Sequence, residues 1–278
     1  MFITEKNNNI ILNNAENFDI ALTLDCGQAF RWKQNENGVW SGVAYGKYLE
    51  IFQNGDEITF LNTSKDDFEN IWKKYFDLDR NYSEIISSYT DESLKKACEA
   101  YPGIRILHQE PWEAVCSFII SANNNIPRIK GIVERLCENF GEKTDISYSF
   151  PSPEVLENLT VDDLAPIRSG FRAKYIIDAA KKFASGDVCA EKIEKMTFDE
   201  AKAELLKIKG VGEKVAQCSL LYGFARMEAF PVDVWVKRIV SELYPDGLPE
   251  CMKGSEGIAQ QYLFHWRRNL ENEDSVRR

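Results

Sequence analysis

The sequence has few of the features that mark metal-binding, secreted or membrane proteins. Its 278 residues include only two histidines, and no two of its seven cysteines are spaced as a CxxC pair. We therefore expect no disulfide framework, no metal site and no cofactor. No apolar run approaches the ~18 residues of a membrane span, and MFITEKNNNI at the start contains no apolar targeting segment, so we expect a cytoplasmic protein without membrane contact.

Positive charge is also scarce, because 34 Lys and Arg face 44 Asp and Glu and the net charge is −10. A protein of this charge is not attracted to nucleic acid as a whole. Any role on nucleic acid must therefore depend on a local site. The 44% hydrophobic and 12% aromatic residues are sufficient for an ordinary globular core.

Two kinds of hydrophobic pattern divide the chain. Up to about residue 62, five short apolar runs predict an antiparallel sheet: FDIALTL, AFRWKQ, VWSGVAY, KYLEIFQ and EITFLN. Beyond them, nine segments from KDDFENIWKKYF to VWVKRIVSELY have the apolar spacing of helices. We therefore predict an α+β fold, in which an antiparallel sheet domain with a flanking helix (residues 1–90) packs on an all-helical domain (residues 91–278).

A helix–hairpin–helix pattern occupies about residues 198–226 of the predicted helical domain. Thr197 and Glu200 form a capping box that opens its first helix, and the second helix starts near Glu213. The hairpin between them consists of Lys209, Gly210, Val211 and Gly212. Glycines let the backbone approach a neighbour closely, and the amides at the start of the second helix suit a phosphate oxygen, so the hairpin is a candidate DNA-backbone contact.

Two polar residues follow this hairpin at positions that suit chemistry. Lys214 lies in the first turn of the second helix, where the positive helix end disfavours the ammonium form and favours a neutral amine nucleophile. In the loop at residues 227–235, Asp233 is the predicted N-cap of the next helix. Together they could break a C1′–N glycosidic bond, with the carboxylate stabilising oxocarbenium charge and the amine forming a Schiff base. Taken singly, the glycines could be an ordinary turn and Asp233 only a cap.

At this point the motifs resemble a known superfamily. LLKIKGVGEKVAQC followed by FPVDVWV is similar to the signature of the endonuclease III superfamily of DNA glycosylases. CGQAFRW, VWSGV, SANNNIPRIKGIVERLCENFG and GFRAKYI resemble the 8-oxoguanine DNA glycosylase family over nearly the whole chain. The resemblance implies excision of 8-oxoguanine, preferably opposite cytosine, from double-stranded DNA, followed by strand cleavage through β-elimination. Lys214 would be the Schiff-base nucleophile, and Asp233 would position it and stabilise the cationic sugar.

The resemblance also implies a pocket for the flipped base. The carbonyl of Gly27 would accept the N7 hydrogen that 8-oxoguanine has and guanine lacks. Cys218 and Phe264 would sandwich the base, and Gln260 would bond its Watson–Crick edge. Without the resemblance, Cys218 and Phe264 indicate only core packing.

Four further residues would contact the duplex around the gap: Asn123, Arg128, Phe171 and Arg172. Asn123 would enter the gap, and the two arginines would bond the orphaned cytosine. Phe171 would be a wedge, at a position where the family usually has tyrosine. Trp235 replaces a usual histidine and Lys209 a usual proline, so we expect looser opposite-base selection and an altered phosphate contact. We further expect a monomer, associated with the nucleoid of a bacterial cell.

Two alternatives stay open at this stage. The chain could be a non-catalytic helix–hairpin–helix module, in which Lys214 only contacts phosphate and Asp233 only caps a helix. It could also be a glycosylase for a different damaged base, such as an alkylated or mismatched one. Gly27 and the Gln260 and Phe264 pair are the features that discriminate between lesions, and the Lys214 and Asp233 pair argues against a module without catalysis.

Overall fold

The N-terminal part of the molecule contains a six-stranded antiparallel sheet. We analysed a computed structural model, which describes residues 2–276 and the side chains of residues 2–270. The strands are β1 (Phe2–Lys6), β2 (Asn9–Asn13), β3 (Lys33–Gln34), β4 (Trp40–Ala44), β5 (Lys47–Asn54) and β6 (Glu57–Leu61). Their order in the sheet is β1-β2-β6-β5-β4-β3, so the consecutive strands β3 to β6 form a meander and the β1–β2 hairpin attaches to its β6 edge.

Two details of the predicted sheet are wrong. FDIALTL is not a strand but contains helix α1 (Ile20–Leu24), because the Asp19 carboxylate accepts the Leu22 N–H at 2.7 Å and caps it. The alternation of apolar residues in that run imitates a strand, yet the buried apolar residues of α1, Ile20 and Leu24, are four positions apart. Strands β1 and β2 lie N-terminal to the predicted runs and were not expected.

The predicted helical segments after the sheet are all helical. The helices are α2 (Lys65–Asp67), α3 (Lys73–Tyr75), α4 (Tyr82–Ser88), α5 (Glu92–Ala100), α6 (Pro111–Ser121), α7 (Ile126–Phe140), α8 (Pro153–Leu156), α9 (Ala173–Ala184), α10 (Ala190–Ile193), α11 (Phe198–Leu205), α12 (Glu213–Phe224), α13 (Val234–Leu243) and α14 (Glu256–Val276). A π-helical segment, Phe68–Trp72, joins α2 to α3. The predicted α+β class is confirmed. Helix α14 was not among the predicted segments.

Two hydrophobic clusters form the interior. The smaller one lies under the sheet and is rich in aromatic residues, and the Trp32 indole N–H donates to the Tyr75 hydroxyl at 2.7 Å within it. The larger one fills the helical part, where α6 and α12 pack together and the Phe118 ring stacks on Tyr222. In the described part of the chain no helix is long and apolar enough to cross a membrane. The boundary at residues 90 and 91 stays a prediction, and residues 277 and 278 lie outside the described residues.

Candidate active site

The helix–hairpin–helix is formed by α11, the hairpin and α12. The capping box at Thr197 and Glu200 is present as predicted and fixes the start of α11. Gly212 is the N-cap of α12, and in the described structure no side chain bonds the N–H groups at that end. Because the first N–H groups of a helix lack intrahelical acceptors, the N–H groups at this end of α12 can donate to a phosphate oxygen.

The hairpin backbone is held from α9. Gly210 has a φ of +83°, and a Cβ at this position would lie 2.4 Å from the Tyr175 ring, so no larger residue fits. The backbone N–H of Lys209 donates to the Asp178 carboxylate at 2.8 Å, and the Lys209 ammonium lies 3.4 Å from the same carboxylate. Val211 is buried in the core. A proline at position 209 would lack the N–H that Asp178 accepts.

Helix α6 provides the contacts of the Lys214 amine. The amine donates to the Ser121 hydroxyl at 3.2 Å and lies 5.5 Å from the centroid of the Phe118 ring. The Ser121 hydroxyl donates its hydrogen to the Phe118 carbonyl at 2.8 Å, so its oxygen is free to accept a hydrogen bond from the lysine. Lys214 is only half-buried and is therefore accessible from one side. The amine is thus fixed on its α6 side and open on the other.

Cys218 lies one turn after Lys214 on α12 and is buried. Burial raises the pKa of its thiol above the ordinary value, while the nearby Lys214 lowers that pKa and the nearby Asp233 raises it. The thiol is therefore neutral at pH 7. Lys214 and Asp233 both act on this thiol, so the two charged groups lie in its neighbourhood, and their roles in catalysis stay a prediction.

Asp233 is the N-cap of α13, as predicted. Its Oδ1 atom accepts the Val236 N–H at 2.8 Å. The loop before it is fixed by Gln217 of α12, whose side-chain oxygen accepts the Phe230 N–H at 2.7 Å. Capping therefore holds the carboxylate in place beside the Lys214 helix, and the two roles considered for Asp233 are compatible.

The predicted base pocket combines a glycine with residues of α14. Gln260 is buried, and among the described residues its Oε1 atom has no hydrogen-bond partner. Phe264 lies one turn later and is half-buried. Gly27 has a φ of +87°, and a Cβ there would lie 3.3 Å from the terminal methyl of Ile126. An unpaired amide oxygen costs about 1–3 kcal/mol when buried, so a ligand that donates hydrogens to Gln260 relieves this cost.

We call Asn123, Arg128, Phe171 and Arg172 the duplex side of the site. Asn123 and Arg128 are exposed, and Phe171 is 55% exposed. Arg172 differs because it is only 2% exposed and its guanidinium lies 4.4 Å from the Phe171 ring centroid. It donates to the carbonyls of Ala122, Asn123 and Ser169. Arg172 therefore supports Asn123 and Phe171 here, and its contact with a cytosine stays a prediction.

The sequence analysis missed several residues that support the site: Phe118, Ser121, Tyr175, Asp178, Tyr222 and Gln261. Most contact the site from elements distant in sequence, so local spacing carries no signal for them. The one available signal was the Gln260-Gln261 pair in an otherwise apolar stretch of α14, since buried glutamines need partners. Within the described residues no group of three or more His, Cys, Asp or Glu side chains could hold a metal ion.

Comparisons with known proteins identify the relatives of this chain. The family described as "8-oxoguanine DNA glycosylase, N-terminal domain" matches residues 10–115, and "HhH-GPD superfamily base excision DNA repair protein" matches residues 116–248. An N-glycosylase/DNA lyase of Saccharomyces cerevisiae is 34% identical over 255 residues, which are 81% of this chain and 68% of the relative. A probable N-glycosylase/DNA lyase of Methanothermobacter thermautotrophicus is 34% identical over 194 residues, 61% of this chain and 62% of the relative.

A solved structure matches almost the entire chain. It is the 8-oxoguanine glycosylase/lyase of Clostridium acetobutylicum in complex with double-stranded DNA containing cytosine opposite 8-oxoguanine. The two chains are 38% identical, the TM-score is 0.92, and the match covers 98% of this chain and 99% of that one. The chain therefore belongs to the 8-oxoguanine DNA glycosylase family of the HhH-GPD superfamily of base excision DNA repair proteins.

Proposed function

We propose that the protein is a bifunctional DNA glycosylase that excises 8-oxoguanine, preferably opposite cytosine, from duplex DNA and then cleaves the strand. The observation that carries this function is the position of the Lys214 amine. It lies in the first turn of helix α12, on Ser121 and one turn before Cys218, and its charge and that of Asp233 both act on the Cys218 thiol. The names of the relatives, N-glycosylase/DNA lyase, describe the same two steps.

The chemistry follows from the amine and the carboxylate. The glycosidic bond breaks with its electron pair going to the base, and Asp233 stabilises the positive charge that develops on the sugar. The Lys214 nitrogen bonds to C1′, loses a proton, and the sugar ring opens to give a protonated Schiff base. Loss of a C2′ proton then sends an electron pair to the 3′ oxygen, which leaves with its phosphate. Water hydrolyses the remaining imine and restores the lysine.

Recognition of the base would use the polar groups of the pocket. Guanine-type bases carry N1–H and amino donors on their Watson–Crick edge, and the unpaired Oε1 atom of Gln260 is an acceptor for them. The carbonyl of Gly27 would accept the N7–H of the oxidised base. Cys218 and Phe264 would cover its two faces. A neutral Cys218 thiol suits this role, because a thiolate would repel the electron-rich carbonyl of the lesion.

The duplex side would open and fill the gap. Asn123 is exposed with a left-handed φ of +51° at the end of α6, so its side chain can enter a gap in the stack. Arg128 presents donors for the orphaned cytosine, and Phe171 presents an apolar wedge. The Clostridium acetobutylicum neighbour is in complex with a duplex that contains cytosine opposite 8-oxoguanine, which supports such a duplex as the ligand. We propose further that the protein acts as a monomer in the cytoplasm of a bacterium, where it would meet the nucleoid.

Borohydride trapping tests the proposed function. Incubation with an 8-oxoguanine·cytosine duplex and borohydride should yield a covalent protein–DNA adduct, because reduction fixes the Schiff base. Lys214→Gln should abolish the adduct, whereas Lys207→Gln, a change at an exposed lysine that pairs with Glu204, should not. Persistence of the adduct in Lys214→Gln would remove Lys214 from the mechanism. An adduct with abasic duplex only would indicate a glycosylase for another base, and no adduct with either duplex would indicate a non-catalytic module.

A further inference from the structure

A buried polar chain joins α12 and α14 to the loop that contains Gly27. The Tyr222 hydroxyl donates to the Gln261 Oε1 atom at 2.6 Å, and the Gln261 side-chain nitrogen donates to the Cys26 carbonyl at 3.1 Å. Tyr222, Gln261 and Cys26 are each less than 5% exposed. Buried polar groups are costly unless each has a hydrogen-bond partner, and in this chain both side chains of the pair are hydrogen-bonded.

The other end of the same loop is held independently. We call Cys26, Gly27 and Gln28 the lesion-reading loop. The Gln109 side chain donates to the Gln28 carbonyl at 2.6 Å, and the Gln28 side chain itself bonds the backbone of the segment before Gln109. Among residues 2–270 the carbonyl of Gly27 accepts no hydrogen bond. Hydrogen bonds therefore fix the Cys26 and Gln28 carbonyls, while the Gly27 carbonyl between them has no donor among residues 2–270.

We propose that Tyr222 and Gln261 are positioning residues, which hold the Gly27 carbonyl where it meets the N7–H of the damaged base. The inference rests on the proposed function. A single hydrogen distinguishes 8-oxoguanine from guanine at this atom, so an acceptor that shifts with the loop would discriminate poorly. Fixing the Cys26 carbonyl fixes the peptide plane that enters Gly27, and a misplacement of about 1 Å is enough to cost roughly a hundredfold in rate.

One residue of this hydrogen-bonded chain, Tyr222, also contacts the aromatic ring that lies against the Lys214 amine. Tyr222 is two turns after Lys214 on α12, and its ring stacks on Phe118 with centroids 5.2 Å apart. The Phe118 ring also lies 5.5 Å from the Lys214 amine. Replacing Tyr222 with phenylalanine keeps this stacking and removes only the hydroxyl. The lesion-reading branch can therefore be disturbed while the aromatic support of the lysine stays in place.

Two substrates separate the two branches. Excision of 8-oxoguanine needs the Gly27 carbonyl, whereas cleavage at a preformed abasic site opposite cytosine has no base to read and needs the lysine and its supports but not that carbonyl. Under single-turnover conditions, Tyr222→Phe and Gln261→Met should lower the excision rate by about tenfold, since the loop is loosened rather than removed. Abasic-site cleavage should stay within about twofold of wild type. Each variant breaks the hydrogen-bonded chain at a different residue. If one variant fails to fold, the other still tests the inference.

A matched control is Tyr89→Phe. Tyr89 is 1% exposed and its hydroxyl donates to Ser255 at 3.0 Å, so the variant loses an equally buried hydrogen bond away from the lesion-reading loop. It should lose similar thermal stability and keep the wild-type ratio of excision to cleavage. If Tyr222→Phe leaves the ratio of excision rate to abasic-site cleavage rate unchanged, the inference is overturned, whether both rates fall equally or neither falls. Failure of the wild-type protein to excise 8-oxoguanine would instead overturn the proposed function.

Discussion

The lesion-reading loop and the duplex side of the site are held by different means. Around Gly27, buried glutamine side chains bond the backbone on both sides. On the duplex side, Asn123, Arg128 and Phe171 are exposed, and the buried Arg172 supports Asn123 and Phe171 from beneath. Reading one hydrogen needs an acceptor that does not move, whereas contacts with a bent duplex tolerate side chains that adjust. Substitutions in the two regions should therefore differ in which step they slow.

The largest effect is expected at Asp233, which belongs to neither region and whose proposed role is in bond cleavage itself. Asp233→Asn keeps a good helix cap, because asparagine caps as well as aspartate, but it removes the negative charge beside the developing cation. We expect excision to slow about a hundredfold or more, with affinity for the lesion duplex largely kept. Single-turnover rates and binding measured on the same duplex check this. An affinity loss as large as the rate loss would leave only the capping role.

Breaking the lesion-reading loop directly is expected to have the next largest effect. In Gly27→Ala, a Cβ on a left-handed residue meets the Ile126 methyl at 3.3 Å, so the carbonyl must move. Excision should fall about a hundredfold while abasic-site cleavage is kept. Gly186→Ala is a matched control, since Gly186 has a φ of +76° and open space at its Cβ. If both glycine variants slow excision equally, backbone strain alone explains the loss.

Substitutions on the duplex side should change the preference for the base opposite the lesion. We expect the wild type to prefer cytosine opposite the lesion, and Arg128→Met to lower that preference about tenfold, because a charged hydrogen bond is worth roughly 1.5–3 kcal/mol. Phe171→Tyr keeps the wedge, adds a hydroxyl and should raise the preference by a smaller factor. Excision rates opposite each of the four bases measure both effects. Equal wild-type rates opposite all four would show that Arg128 does not read cytosine.

The smallest effect is expected at the contact between Ser121 and the lysine. Ser121→Ala removes the acceptor 3.2 Å from the amine and should slow excision and abasic-site cleavage together, by about fivefold. Ser219→Ala on α12 removes a buried hydroxyl that bonds only the Val215 carbonyl, and both rates should stay at wild type. If Ser121→Ala slows only excision, the role of Ser121 is to support the lesion-reading loop and not the lysine.

Local pattern predicted the fold class and the helix caps near the candidate site. Capping signals at Thr197, Glu200 and Asp233 depend on neighbours three positions away, and the structure confirms all of them. The same kind of signal at Asp19 was overridden by the alternating pattern of FDIALTL, so α1 was missed. Strand-like alternation over seven residues cannot by itself exclude a short capped helix.

Long-range support could not be predicted in the same way. Gln261 bonds a carbonyl 235 positions away, and Ser121 meets a lysine 93 positions away. No periodicity links such pairs, because their contact depends on how α6, α12 and α14 pack. The supporting role of Arg172 shows the same limit, since its bonds to the carbonyls of Ala122, Asn123 and Ser169 depend on that packing, while its contact with a cytosine stays a prediction.

The bond between the Lys209 N–H and Asp178 restricts the paths by which this sequence can change. Proline, the residue that the resemblance led us to expect at this position, would leave the Asp178 carboxylate without its backbone donor. The two positions are therefore epistatic: Lys209→Pro is costly in this background unless position 178 changes first. A redesign that introduced Lys209→Pro beside an unchanged Asp178 would destabilise the hairpin that it was meant to stiffen.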